Sequence, residues 1–428
     1  MTLKTKPEIL APAGDFERLE MAVRFGADAV YLGADKFGMR SSAAKFGGDE
    51  LKKAVDFAHA SGVKVYLTCN TVPTNAEIDD LEAFLKYASE SGVDALIVAD
   101  IGILMEAKRV VPNMEIHIST QAGIMNYLTA NELYKLGAKR VVLARELSFD
   151  DIITIRKNTP PDLEIEAFVH GAMCMSFSGR CMLSQYLTAR DANRGECAQP
   201  CRWGYYLMEE KREGEYFKVF EDEKGTYILN AKDMCMIEHI DKLCDAGITS
   251  FKIEGRAKSA YYVAVVTNAY RTAMDLYLES PENFKTPQWL IDEVHKVSHR
   301  KYCNGFYFGH PNEAQYYETG GYIRNCDIVG VVDKTENGVV YCTQRNKFFA
   351  NDTVEILSPH SKPVEIQIKG LKDEYKNEIE TANHAMMKFS FESDIEFANG
   401  SIIRKNSFNI TTICTAISST KNKEVFTK

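Results

Sequence analysis

No apolar run in this 428-residue chain is long enough to span a membrane, and its start, MTLKTKPEILAPAGD, has neither a signal-type apolar core nor a small-residue cleavage site. The expectation is a cytoplasmic protein with no membrane partner. Other absences narrow the chemistry. There is no C-x2-C knuckle of the structural-zinc kind, no H-E-x-x-H of a zinc protease and no G-x-S-x-G elbow of a serine hydrolase. A composition of 45% hydrophobic and 26% charged residues excludes a disordered chain. The formal charge of -9 argues against indiscriminate coating of nucleic acid but leaves room for a local basic surface that binds one structured RNA. Cysteine is not scarce. The chain has eleven, an odd number, which in a reducing compartment points to metal or redox chemistry rather than a disulfide framework.

What is present first is a recurring phrase. FGADAVYLGA (25–34), SGVKVYLTCN (61–70), SGVDALIVAD (91–100), LGAKRVVLAR (136–145) and AGITSFKIEG (246–255) each place a glycine shortly before an apolar run. The glycine suits the left-handed backbone of a helix C-cap, and the short β-branched run suits a buried parallel strand. EILAPAG (8–14), MEIHISTQAG (114–123) and LEIEAFVHG (163–171) add three strands of the same type. Amphipathic stretches such as 49–60 and 78–90 lie between them. Eight strand–helix units match the size of a TIM (β/α)8-type barrel, with a doubly wound open sheet as the alternative. The expected organisation is a barrel over 1–280, a helical linker over 281–319 rich in proline and serine signals, and a small all-β domain of β-barrel type over 320–428.

Polar residues just beyond barrel strands face the C-terminal mouth, where active sites of this fold gather. They are Asp15, Asn70, Asp100, Gln121, Arg145, Glu146, His170 and Glu254. Strand ends attract helix caps, so about half of them are expected to be caps or loop anchors. Charges flanking a barrel strand must be paired or used, which singles out Arg145 with Glu146, and Lys252, Glu254 and Arg256 of FKIEGR. Glu254, His170 and Arg145 are the candidate catalytic residues. Arg40, Asn70, Gln121, Glu146, Lys252 and Arg256 are the candidate substrate-binding residues for a small anion. Arg40 sits on the long loop 35–48, which reads either as a cover over the mouth or as a plain surface loop.

HGAMCMSFSGRCMLSQYLTARDANRGECAQPCRW (170–203) puts Cys174, Cys181, Cys197 and Cys201 on the connection after the seventh strand, spaced C-x6-C-x15-C-x3-C. Four soft anionic ligands at the mouth suit a 4Fe-4S cluster, with tetrahedral zinc and buried inert thiols as alternatives. The runs EAFVHGAMCMSFSGRCMLS (166–184), NRGECAQPCRW (193–203), LNAKDMCMIEHI (229–240) and FKIEGRAKSAYYVAVVTNAYR (251–271) resemble the collagenase-like peptidase family of unknown catalytic type, the PrtC family. EILAPAGD and GFYFGH (305–310) do so too, and the likeness covers nearly the whole chain. Chain length and the extra C-terminal domain look most like the family's tRNA-hydroxylation branch. That resemblance implies a 4Fe-4S cluster on Cys174, Cys181, Cys197 and Cys201, tRNA as partner, 5-hydroxyuridine at the wobble position as product and prephenate or a related small carboxylate as hydroxyl donor. An electron donor is a further expected partner. The competing expectations are a collagenase-like endopeptidase, for which Cys174 near His170 is the sequence-local thiol–imidazole pair, and a non-catalytic iron–sulfur subunit of a modification complex.

In the last third, strand-like runs alternate with turn signals, including Glu336, Asn337 and Gly338. Arg324, Arg345, Lys347, Arg404 and Lys405, with Tyr307, Tyr341 and Phe348, suit an RNA backbone and stacked bases. A solvated surface over core aromatics is the slightly favoured alternative.

Overall fold

The computed structural model describes residues 6–39, 46–173, 183–190, 196–200, 207–208, 216–217, 220–222, 225–227, 232–309 and 322–407. By contacts the chain divides into two units, residues 1–291 with 299–322, and residues 292–298 with 323–428. The stretch expected as a linker is therefore shared between them.

The first unit contains strands β1 (Glu8–Pro12), β2 (Ala29–Gly33), β3 (Lys64–Cys69), β4 (Ala95–Val98), β5 (Glu115–Ile118), β6 (Arg140–Val142), β7 (Glu164–Ala172), β8 (Asp233–Cys235), β9 (Ser250–Ile253) and β10 (Tyr302–Cys303). Strands β1 to β7 pair in sequence, all parallel, and β9 pairs parallel with both β1 and β7, which closes an eight-stranded barrel. These are the eight strands expected from the sequence. The ring closes on Glu8, Ser250 and Glu166, which lie in register across β1, β9 and β7. The far end of β7 leaves the ring and pairs antiparallel with β8, which in turn carries β10.

Helices α1 (Phe16–Arg24), α2 (Asp49–Ala60), α3 (Leu81–Ser91), α4 (Ile101–Val110), α5 (Tyr127–Lys135), α6 (Phe149–Lys157), α7 (Ile240–Asp245) and α8 (Ala260–Glu279) connect the strands. Their ends follow local chemistry. Asp15 and Asp100, two of the eight expected mouth residues, accept from Arg18 N and Ile103 N as helix N-caps, each typically worth about 1 kcal/mol. Gly92, from the recurring phrase, sits at φ 82 at the C-cap of α3, a conformation that costs a side-chain-bearing residue. Inside the ring, Leu10, Ala29, Tyr31, Tyr66, Ala95 and Ile97 form a packed layer.

The second unit holds a seven-stranded antiparallel sheet of strands β11 (Cys326–Glu336), β12 (Val339–Gln344), β13 (Thr353–Leu357), β14 (Val364–Gln367), β15 (Lys369–Asp373), β16 (Lys388–Glu392) and β17 (Ile402–Asn406). Their spatial order is β14-β13-β17-β11-β12-β16-β15. Asn337 at φ 51 and Gly338 at φ 76 make the two-residue turn between β11 and β12, where two left-handed residues match the strand twist. Val340, Phe348, Phe389, Phe391 and Ile403 are among the residues of its core. Arg404 is fully buried beside that core. Its guanidinium meets Glu293 at 2.6 Å and Glu355 at 2.8 Å, and Lys296 bridges the same two carboxylates. Arg404 is thus a structural cation rather than an RNA contact, and Phe348 is a core ring.

Candidate active site

Residues 252, 254 and 256 alternate inward along β9 and its extension, as the two-residue period of a strand requires. At the C-terminal mouth they line a cavity of about 110 Å³ together with Asn70, Gln121 and Arg145. Six of the nine candidate catalytic and substrate-binding residues thus share one wall system. Tyr31, Met39, Thr68, Ser119, Thr120 and Phe168 line it as well and were not singled out from the sequence. Their signal was present, since Tyr31, Thr68 and Phe168 hold inward phases of β2, β3 and β7. Uncharged side chains at those phases read as ordinary core.

Among the described residues the cavity wall carries three cations, Arg145, Lys252 and Arg256, and one carboxylate, that of Glu254. Each cation is pre-positioned. Arg145 donates from Nη1 to the Ala172 carbonyl at 2.7 Å and stacks on the Phe168 ring at 3.8 Å, while its Nε is buried with no partner among the described residues. Arg256 donates to Thr68 Oγ1 at 3.0 Å and to the Met39 carbonyl. Lys252 lies under the Tyr31 ring at 4.6 Å and donates to Glu166 at 2.6 Å. Asn70 braces the same wall by accepting from Met39 N at 3.1 Å. Tyr31 donates to the Ile253 carbonyl, and its hydroxyl also lies 3.4 Å from Glu254 Oε2.

Below the cavity the barrel interior is ionic. Arg140 donates to Glu8 at 2.7 Å and to Glu166 at 3.0 Å, Tyr66 donates to Glu8 at 2.6 Å, and Ser250 donates to Glu8 at 2.9 Å. Burial alone would raise the Glu166 carboxyl, but Lys252 and Arg140 outweigh it and hold the group below the ordinary carboxylate range. Burial depresses the Lys252 ammonium, with Glu166 opposing that shift. His117 is completely buried in the same layer, edge-on to Tyr66, and neither ring nitrogen has a hydrogen-bond partner among the described residues. Burial and the nearby Arg140 push its imidazole well below its usual range.

The remaining candidates are placed otherwise. His170 does not line the cavity. The register of β7 against β9 shifts between Lys252, opposite Phe168, and Ile253, opposite His170, so that one step on β9 spans two on β7. This bulge turns His170 onto the face of Ile253 and away from the interior. There it is buried between the hydroxyls of Tyr302, 3.3 Å from Nε2, and Tyr270, 3.4 Å from Nδ1. Gly171, at φ 109, lets the strand pass so close that a Cβ would lie 2.6 Å from the Glu254 carbonyl oxygen. Glu146 is half-buried beside the mouth without lining it, and its Oε2 has no partner among the described residues. Arg40, Cys174, Cys181 and Cys201 lie outside the described residues. Cys197 is exposed, and its sulfur accepts from Gln199 N at 3.4 Å. Among the described residues no group of three or more His, Cys, Asp or Glu side chains is arranged to hold a metal, and no helix is long and apolar enough to cross a membrane.

In the expected RNA set, Tyr307 is buried and donates to the Phe168 carbonyl at 2.6 Å. Arg324 pairs with Asp327 and Lys405 with Asp352. Arg345 and Lys347 remain at the surface, Arg345 half-buried and Lys347 exposed.

Residues 14–316 match the pattern described as Peptidase family U32, and residues 324–404 match that of the Peptidase family U32 C-terminal domain. A Bacillus subtilis protein named tRNA hydroxylation protein P1 is 38% identical over 403 residues, which span 94% of this chain and 95% of that one. An Escherichia coli protein named tRNA hydroxylation protein P is 37% identical, over 83% of this chain and 86% of its own. A Porphyromonas gingivalis protein named Collagenase is 36% identical over 71% of this chain and 73% of its own.

Proposed function

The chain belongs to peptidase family U32, and from that premise we propose that it is a tRNA-modifying enzyme of the hydroxylation type. In the finer reading it converts wobble uridine to 5-hydroxyuridine without molecular oxygen, taking the hydroxyl group from prephenate or a related small carboxylate. The carrying observation is the end-to-end match to a protein named for tRNA hydroxylation. The mouth cavity supports the donor class, because among the described residues two anchored guanidiniums, Arg145 and Arg256, line it beside the Glu166-paired Lys252 and one carboxylate, a lining that favours a small anion in a site whose dipoles are already oriented.

In this reading Arg145 and Arg256 hold the donor's carboxylate groups, and Lys252 supplies positive charge from the floor. Glu254, with the Tyr31 hydroxyl close to its Oε2, is the group placed to accept a proton from the donor and return it. A 4Fe-4S group on Cys174, Cys181, Cys197 and Cys201 would supply electron-transfer or Lewis-acid chemistry when bound, zinc being the alternative occupant. Cys197 fits such a role in being exposed and in having a loop amide aimed at its sulfur. An endopeptidase using His170 as base is disfavoured, because both ring nitrogens face tyrosine hydroxyls in a closed pocket.

The test is nucleoside mass spectrometry of tRNA from a strain lacking the gene, complemented with wild type or with Glu254→Gln or Arg145→Ala. Wild type should restore 5-hydroxyuridine, and each variant should lower it by roughly a hundredfold, the scale for removing a proton-transfer or charge-stabilising group. Unchanged 5-hydroxyuridine in the deletion strain refutes the substrate. Full activity of both variants refutes the cavity as the site. Iron and sulfide analysis of anaerobically purified protein decides between cluster and zinc.

A further inference from the structure

The neutral groups that line the mouth cavity are nearly all committed. Thr68 Oγ1 accepts from Arg256, Thr120 Oγ1 donates to the Leu143 carbonyl, and the Tyr31 hydroxyl donates to the Ile253 carbonyl. Asn70 accepts from Met39 N and donates to Ser119 Oγ at 3.4 Å. Two buried side-chain atoms of the lining, Arg145 Nε and Gln121 Oε1, have no hydrogen-bond partner among the described residues. One is a donor and the other an acceptor.

Both side chains are held from elsewhere. Gln121 sits on a single 3-10 turn, Thr120–Ala122, after β5, with its backbone amide 3.4 Å from Ser119 Oγ. Its Nε2 donates to the Met39 sulfur, and the flipped amide would set Oε1 against the sulfur lone pairs, so the carbonyl oxygen is the end left over. The thioether lying on this amide is unbranched and turns about three bonds, which makes it the movable part of the wall. Arg145 commits Nη1 to the Ala172 carbonyl, leaving the Nε edge, which can grip a carboxylate through parallel hydrogen bonds, unmatched among the described residues.

A buried donor is matched by any anion, but a buried acceptor is not. A bare carboxylate would face Gln121 Oε1 with lone pairs, so the occupant must bring an O–H or N–H. With the guanidiniums of Arg145 and Arg256 in the same wall an ammonium is disfavoured, which leaves a hydroxyl. We infer that the cavity takes a hydroxy-carboxylate, whose hydroxyl donates to Gln121 Oε1 as the Met39 thioether swings aside and whose carboxylate seats on the Nε edge of Arg145. Gln121 is then the residue that separates a hydroxyl-bearing ligand from its deoxy analogue, since a site built to pair a hydroxyl rejects the molecule lacking it. The inference rests on the small-carboxylate donor proposed above and adds which of its groups is read, and by what.

Isothermal titration calorimetry of the full chain, wild type and Gln121→Met, compares prephenate with the matched pair malate and succinate, which differ by one hydroxyl. Methionine keeps the length of the side chain and removes its carbonyl. Wild type should bind malate roughly fivefold to a hundredfold more tightly than succinate, the range for leaving one buried polar group unpaired. Gln121→Met should erase that preference and weaken prephenate, which also carries a hydroxyl, by the same factor. Succinate affinity and thermal melting should stay as in wild type, which reports that the variant is folded. If wild type binds malate and succinate equally, or Gln121→Met leaves the malate preference and the prephenate affinity unchanged, the inference falls while the donor reading stands. If the variant weakens all three ligands alike, Gln121 is only a wall and the inference falls again. If neither member of the pair binds wild type, prephenate decides: unchanged affinity in the variant overturns the inference, and the stated loss at wild-type melting temperature supports it. Preference for malate without any binding of prephenate keeps the inference and removes prephenate as donor, and no binding of any of the three removes both.

Discussion

Replacing Glu166 with glutamine tests the ionic interior on which the cavity floor rests. Glu166 is completely buried and accepts from Lys252 at 2.6 Å and from Arg140 at 3.0 Å. Glutamine keeps the shape and removes the charge. Arg140 retains Glu8 and Glu164, but Lys252 loses its salt-bridge partner and is left under the Tyr31 ring. Breaking a buried pair from one side costs about 3–5 kcal/mol. The protein can limit that cost by releasing the Lys252 proton, which from an ordinary pKa of about 10.4 costs about 4.6 kcal/mol at pH 7. The two figures agree, so Glu166→Gln should destabilise the barrel by about 4 kcal/mol at neutral pH. The sign of the pH dependence follows. With Lys252 neutral in the folded variant and charged in the unfolded chain, unfolding takes up a proton, so the deficit should shrink by about 1.4 kcal/mol per pH unit between pH 7 and 10. Urea titrations at pH 7 and 9, with hydrogen exchange read at strands β7 and β9, measure this. The double variant Glu166→Gln with Lys252→Met removes the stranded ammonium and should recover about 2 kcal/mol or more. A single variant within about 1 kcal/mol of wild type, or a double variant less stable than the single, would refute the reasoning.

Two further outcomes are expected. His117 is held neutral by burial, so as pH falls below about 6.5 the unfolded chain gains a proton that the folded one does not, and stability should drop with acid. His117→Phe should flatten that slope by up to about 1.4 kcal/mol per pH unit between pH 5 and 6.5, measured by urea titration. In the second unit Arg404→Met leaves Glu293 and Glu355 with Lys296 alone, and should cost about 3–5 kcal/mol, visible as lost exchange protection in β11 and β17; unchanged protection there would show that the guanidinium is not needed.

The parts of the molecule legible in the sequence are those that depend on neighbours a few residues away. Glycine-then-apolar phrases marked the strands of the barrel because a left-handed helix end and a buried strand are local events, and Asn337–Gly338 marked its hairpin for the same reason. The inward trio Lys252, Glu254 and Arg256 was readable too, since the two-residue period of a strand makes alternate charges share a face. Other assignments needed the closed fold. Arg140 finds Glu8 across 132 positions, and only ring closure brings them together. His170 sits at the phase that should face the mouth, yet a bulge against β9 reverses it, and a bulge exists only once two strands are paired. Arg404 reads as a surface cation until β17 places it against Glu293 and Glu355. Composition, strand count and the charged wall were thus written along the chain, because short-range sterics and periodicity determine them. Which charges are paired and which ring is buried were decided by tertiary structure, because burial is a property of what packs on top.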